Sequence, residues 1–271
     1  MAQDEVAARG IVLLGCGKMG SALLKGWLDR GLPPGAVHVI EPRPSEWLSG
    51  TGVALNGPLP EAPAVALVAV KPQMMGEALP AMSSLGGGRT LVLTVAAGTP
   101  LSAYEAAFGA GTPVVRAMPN TPAAIGQGIS AIVGNRAAGE AHMALAESLL
   151  SAVGEVVRLD REGQIDAVTG VSGSGPAYVF HLIEALAAAG EAEGLSPDLS
   201  LRLARATVAG AGALAQQTGT DPAQLRRDVT SPHGTTQAGL GVLMDEATGL
   251  GPLIRRTVRA AAARSEELGR G

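Results

Sequence analysis

The chain has 271 residues, and a prior of roughly 150 residues per domain points to two domains. Hydrophobic residues make up 46% and charged residues 16%, enough to fill two cores and too apolar for a disordered chain. A net charge of −4 with no basic run argues against nucleic acid or a membrane surface as partner, and a single cysteine, Cys16, excludes a disulfide framework or a cysteine-rich metal site.

The first ten residues carry Asp4, Glu5 and Arg9 and lack the apolar stretch of a signal peptide. Apolar runs elsewhere are broken by Gly, Glu or Pro well short of the ~20 residues that span a bilayer, so a soluble cytoplasmic protein is expected. With only 2% aromatic residues, the cores must be built from Ala, Val, Leu and Ile. Ile11–Leu14 predicts a short buried strand, followed by a glycine turn and a helix over Lys18–Asp29. Strands are predicted next at Val37–Ile40, 65–70, 91–95 and Val114–Met118, with helices near 74–83 and Leu101–Phe108. Two more strands, 129–133 and 153–159, flank a helix at 138–152. Apolar runs without polar alternation fit a parallel sheet covered on both faces, and alternating strands and helices predict a doubly wound α/β domain over residues 1–160.

From residue 161 to 271 the pattern is helical, with stretches at 176–193, 197–217, 222–229, 235–247 and 252–268. Pro176, Pro197 and Pro222 stand at helix starts, where a missing N–H is harmless. The first of these helices is apolar on nearly every side apart from His181, Glu184 and Glu191, and so small a domain cannot bury it alone. A partner subunit is therefore expected to cover it. His181 and Glu184, three residues apart, read as a buried polar pair or a dimer contact rather than a catalytic pair.

Gly15-Cys16-Gly17-Lys18-Met19-Gly20 places a GxGxxG element between the first strand and the first helix. Glycines there allow a tight turn, close approach of the backbone to a pyrophosphate, and helix–strand contact, which is the phosphate turn of a Rossmann-type domain. Cys16 inside it reads as a small space-filling residue, although a helix start can also activate a thiol. Glu41, about twenty residues beyond, is placed to grip the ribose diol of NAD, whereas Arg43 suits the 2′-phosphate of NADP. Ala69-Val70-Lys71-Pro72 ends the strand at 65–70, and Asn120 lies in the proline-stiffened loop 118–122, both where open α/β sheets bind ligands. The histidines His38, His142, His181 and His233 are scattered, and none forms a metal-ligand spacing.

Two segments of the helical half do not read as ordinary helix: 169–178 (Thr-Gly-Val-Ser-Gly-Ser-Gly-Pro-Ala-Tyr) and 229–236 (Val-Thr-Ser-Pro-His-Gly-Thr-Thr). Each precedes a helix and offers glycines and hydroxyls. Free N–H groups at the second helix start suit a carboxylate, and Ser231 or Thr235 can also serve as its N-cap.

Taken with the glycine turn, 69–72 and 118–123, these segments make the chain resemble the pyrroline-5-carboxylate reductase family over nearly its whole length. The resemblance implies a Rossmann-type domain followed by an all-α dimerisation and substrate-binding domain, in a homodimer at least and in decamers of five dimers. It implies hydride transfer from NADPH or NADH, NADPH being favoured, to the C=N bond of 1-pyrroline-5-carboxylate, giving L-proline. Gly15, Gly17, Lys18 and Met19 match the pyrophosphate turn, and Asn56 a position beside the adenosine ribose. Ala69, Val70, Lys71, Pro72, Ala96, Ala97 and Asn120 match the crevice wall. Ser231, Gly234, Thr235 and Thr236 match the loop that holds the substrate, with the Thr236 hydroxyl near the imine nitrogen as the catalytic group. Where the family commonly has two glycines after Ser-Pro, this chain has His233 first, and some backbone strain is expected if φ is positive there. A β-hydroxyacid dehydrogenase would want a lysine in the second domain, and none follows Lys71. A non-catalytic dinucleotide-binding regulator would not be expected to keep so intact a substrate loop.

Overall fold

The computed structural model describes residues 2–270. Among them, eight strands form one sheet: β1 (Ile11–Leu14), β2 (Val37–Ile40), β3 (Ala54–Leu55), β4 (Val65–Val68), β5 (Leu91–Thr94), β6 (Val114–Met118), β7 (Gly128–Gly134) and β8 (Gly154–Arg158). Their order is β3-β2-β1-β4-β5-β6-β7-β8, and every neighbouring pair is parallel except β6 and β7. The link between those two spans only 119–127, too short for the crossover that a parallel neighbour requires, so the chain doubles back. The doubly wound sheet expected from the sequence is present with this one antiparallel step.

Helices α1 (Ala2–Arg9), α2 (Lys18–Asp29), α3 (Glu46–Ser49), α4 (Met75–Met82), α5 (Leu101–Phe108), α6 (Glu140–Leu150) and α7 (Ile165–Val168) accompany the sheet. Successive residues of a strand point to opposite faces, and β1 shows the result. Ile11 and Leu13 join Leu23, Leu24 and Trp27 of α2 and Leu145 and Leu149 of α6, whereas Val12 and Leu14 join Met75, Leu79 and Met82 of α4 and Tyr104 and Phe108 of α5. Each fully buried side chain of this size contributes roughly 1.5–3 kcal/mol.

Polar groups inside this unit are paired. The Trp27 indole N–H donates to the Leu149 carbonyl at 2.9 Å, and the hydroxyls of Tyr104 and Thr94 lie 2.6 Å apart. Arg116 on β6 is only 7% exposed, and its guanidinium lies 2.6 Å from Oε1 of Glu162. The same oxygen accepts the Leu101 N–H at 2.8 Å, so it neutralises a buried cation and caps α5, whose own N-cap residue is Pro100.

One compact unit runs through Gly173 and takes in the chain again from Ala261; the other is Ser174–Ala260. The first continues beyond residue 160 because Ile165 of α7 is buried in the core on the α4 and α5 side. The second holds α8 (Gly175–Ala192), α9 (Pro197–Thr218), α10 (Pro222–Asp228), α11 (Thr235–Leu243) and the start of α12 (Leu250–Arg270). Ser196 accepts the Leu199 N–H to cap α9, and Asp221 caps α10. In α8, apolar all round by sequence, Ala187 is buried while Phe180 is 58% exposed and Leu186 42%.

The Arg116–Glu162 pair yields an asymmetric expectation. Glu162→Ala leaves a buried guanidinium without its carboxylate and should cost about 3 kcal/mol in urea unfolding, whereas Arg116→Met leaves a half-exposed carboxylate and should cost under about 1.5 kcal/mol. Equal losses would show that the pair carries no buried-charge penalty.

Candidate active site

Because β2, β1, β4, β5 and β6 are mutually parallel, their carboxyl ends lie along one edge of the sheet, and the order turns about β1 and β4, the usual position of a ligand crevice. The glycine turn leaves β1 there. Gly15 has φ +88° and donates its N–H to the Ile40 carbonyl at 2.9 Å. A Cβ on Gly20 would run into the Gly15 carbonyl, so glycine at that position lets α2 start against the turn. Gly17 faces open space, and as N-cap of α2 it supplies no side-chain bond. The first N–H groups of α2, at Lys18 and Met19, therefore open onto an unobstructed approach for an anion.

Glu41 lies beyond the end of β2 and is drawn into this turn. One carboxylate oxygen accepts the Cys16 N–H at 2.9 Å and the other the Arg43 N–H at 3.1 Å. Asn56, at φ +53°, brackets the same residue: its Oδ1 accepts the Glu41 N–H and its amide donates to the Glu41 carbonyl, both at 2.9 Å. The Asn56 side chain is thus spent on fixing Glu41, which the sequence could not reveal. The Arg43 guanidinium is exposed and has no protein partner among the described residues. Burial, and then the Glu41 charge, push the Cys16 thiol up to about 11, the opposite direction from an activated thiolate.

The wall residues follow along the edge. The Ala69 N–H donates to Leu14 at 2.8 Å, and a Cβ on Gly15 would stand 2.8 Å from Cγ1 of Val70. Lys71 is exposed, and a 3₁₀ turn at Pro72–Met74 follows it. After β5, Ala96 is buried and Ala97 exposed. Asn120 is half-buried with both ends of its amide engaged: Oδ1 accepts the Ile129 N–H at 2.9 Å, and Nδ2 donates to the Ser172 carbonyl at 3.2 Å. It ties the β6–β7 connection to a π-helical turn at Thr169–Gly173, inside the first segment that did not read as ordinary helix. The Tyr178 hydroxyl one turn into α8 is buried without a partner.

In the helical unit, Ser231 accepts the Gly234 N–H through its carbonyl at 3.1 Å and closes a turn. His233 occupies that turn at φ +59°, the strained region anticipated for it, and its N–H donates to Oε1 of Gln237 at 2.6 Å. The N-cap of α11 is Gly234 and carries no side-chain bond, so neither Ser231 nor Thr235 caps the helix. The hydroxyls of Ser231, Thr235 and Thr236 lie on exposed residues and bond to no protein group among the described residues. His181 and Glu184 do pair, at 3.1 Å, yet both are largely open to solvent in this chain, not buried. Among the described residues no cluster of His, Cys, Asp and Glu could hold a metal ion, and no helix is long and apolar enough to cross a membrane.

Residues 162–268 match the family described as pyrroline-5-carboxylate reductase dimerisation, and residues 10–98 match one described as NADP oxidoreductase, coenzyme F420-dependent. A pyrroline-5-carboxylate reductase of Pseudomonas aeruginosa is 40% identical over 264 residues, covering 95% of this chain and 96% of that protein. The solved structure of a Coxiella burnetii pyrroline-5-carboxylate reductase superposes with a TM-score of 0.90 at 31% identity, over 96% of this chain and 98% of the other. A Plasmodium falciparum pyrroline carboxylate reductase solved with NADP bound gives a TM-score of 0.82 at 26% identity, over 96% and 98% of the two chains. With sequence identity of this level running through both units, the chain belongs to the pyrroline-5-carboxylate reductase family.

Proposed function

We propose that this protein reduces the C=N bond of 1-pyrroline-5-carboxylate to give L-proline, the last step of proline synthesis, and takes NADPH in preference to NADH. The observation that carries the substrate half of this reading is the uncapped start of α11, where free N–H groups adjoin three unpaired hydroxyls. A small anion is the natural ligand of such a helix end.

The dinucleotide fits the carboxyl edge of the sheet: the space before Gly17 is open, and the close approach of Gly15 and Gly20 leaves the helix start facing it. When bound, the reduced nicotinamide supplies the hydride for the imine carbon. Gly15, Gly17, Lys18 and Met19 hold the pyrophosphate, while Ala69, Val70, Lys71, Pro72, Ala96 and Ala97 line the crevice. Asn120 shapes the far end through its two backbone bonds rather than by an open amide. At the ribose end, the Glu41 carboxylate is occupied by two backbone N–H groups, which leaves the exposed Arg43 as the free charged group for a 2′-phosphate. This favours NADPH.

In the helical unit, Ser231, Gly234 and Thr235 hold the substrate carboxylate, and the Thr236 hydroxyl hydrogen-bonds the ring nitrogen. A protonated cyclic imine is itself an electrophile, so the protein's task is positioning and local stabilisation of charge. The exposed apolar surface of α8 fits burial in a homodimer, and the family resemblance extends this to a decamer in a cytoplasmic enzyme.

Thr236→Val should lower kcat about 100-fold with the NADPH Kd within about twofold of the parent; an equal loss of NADPH binding would contradict the role. Arg43→Ala should raise KM for NADPH about tenfold while leaving that for NADH unchanged, and a parallel rise in both would count against the 2′-phosphate contact. His233→Gly relieves the positive φ and should retain activity with stability unchanged or raised by up to about 1 kcal/mol; loss of most activity would give the imidazole a function.

A further inference from the structure

The loop that leaves β5 at the carboxyl edge, residues 95–100, is gripped by a part of the chain far from it in sequence. Helix α12 starts in the helical unit, but from Ala261 onward it belongs to the first unit. Ser265, 6% exposed, donates its hydroxyl to Oδ1 of Asp166 at 2.6 Å, which anchors the last turns. Three residues on, Leu268 lies directly against Gly98. Gly98 has φ +75°, and a Cβ on it would stand 3.2 Å from the Leu268 Cβ, tighter than ordinary packing. A Cβ on Gly269 would stand 3.5 Å from the Gly98 carbonyl oxygen. Leu268 is itself 54% exposed, so its contact with the loop adds little to core burial.

We propose that the last turns of α12 position the 95–100 loop for the dinucleotide, making Leu268, Ser265 and Asp166 positioning residues for cofactor binding. The inference rests on the reading of Ala96 and Ala97 as crevice wall. It assigns to the chain's final helix a role in cofactor affinity, although the family match that covers most of it is described by dimerisation. On the other flank, Glu162 fixes the loop's exit by accepting the Leu101 N–H. A loop ordered from both flanks before the ligand arrives does not charge its ordering entropy against binding. Without the helix end, the backbone at Gly98 is free on one side and must be ordered by the cofactor.

The test compares Leu268→Gly, which removes the Cβ that meets Gly98, Ser265→Ala and a chain ending at Arg264 with the 271-residue chain. NADPH Kd by fluorescence, KM for NADPH and for pyrroline-5-carboxylate, kcat, oligomeric mass and Tm are measured for each. The expected result is a rise of about fivefold in NADPH Kd and KM, substrate KM within about twofold, and unchanged mass, with Leu268→Ala, which keeps the Cβ, retaining affinity. NADPH constants within about twofold of the parent in both point variants overturn the inference, and so does a loss that merely tracks a fall in mass or Tm. If the shortened chain fails to fold, the point variants decide. Ala97→Glu distinguishes the two failures: it should abolish NADPH binding if the loop lines the crevice, and if binding persists the crevice reading fails and the positioning role falls with it, whereas loss of binding in Ala97→Glu with unchanged point variants overturns the role of the helix end alone.

Discussion

The approach of α2 to the turn after β1 is the constraint on which the cofactor half depends. Helix and turn meet so closely that a single methyl at Gly20 would strike the Gly15 carbonyl, and Gly15 itself needs a backbone angle that side chains resist. That contact aims the free N–H groups of α2 along the carboxyl edge of the sheet. Parallel pairing then brings the ends of β2, β4, β5 and β6 to the same edge, each delivering one short loop. Asn56, Glu162 and Asn120 secure these loops by hydrogen bonds to backbone, so several polar groups at the edge serve geometry before chemistry.

The helical unit answers to a different constraint. Its longest apolar helix, α8, has more hydrophobic surface than the unit itself can cover, and Phe180 and Leu186 remain in contact with solvent in a single chain. Leaving such surface open is unfavourable by roughly 25 cal/mol per Å², which is the physical demand for a partner surface to cover it. Its polar focus is the turn before α11, where the helix has no side-chain cap and its start is left open to a ligand.

Much of this was legible in the sequence. The strands Ile11–Leu14, Val37–Ile40 and Val114–Met118 and the helices Lys18–Asp29 and Leu101–Phe108 have the bounds their patterns imply, because continuous apolar runs and turn glycines are local signals. The two-residue edge strand β3 and the polar helix α1 carry too little periodicity to be read, and the antiparallel step at β7 follows from a loop too short to cross over. His233 was readable as a residue forced to positive φ only through the family's glycine at that position. What the sequence hid is where side-chain hydrogen bonds go. Asn56 and Asn120 look like open amides until the structure shows both ends engaged, and nothing local marks Glu162 as the partner of Arg116, 46 residues away.

Purified protein mixed with NADPH and 1-pyrroline-5-carboxylate gives the most direct test of the proposed reaction, with both NADPH consumption and L-proline followed. NADPH should disappear in step with L-proline appearing, one for one, and more slowly when NADH replaces it. Tight NADPH binding without proline formation would contradict the assignment of the α11 start as a catalytic substrate site.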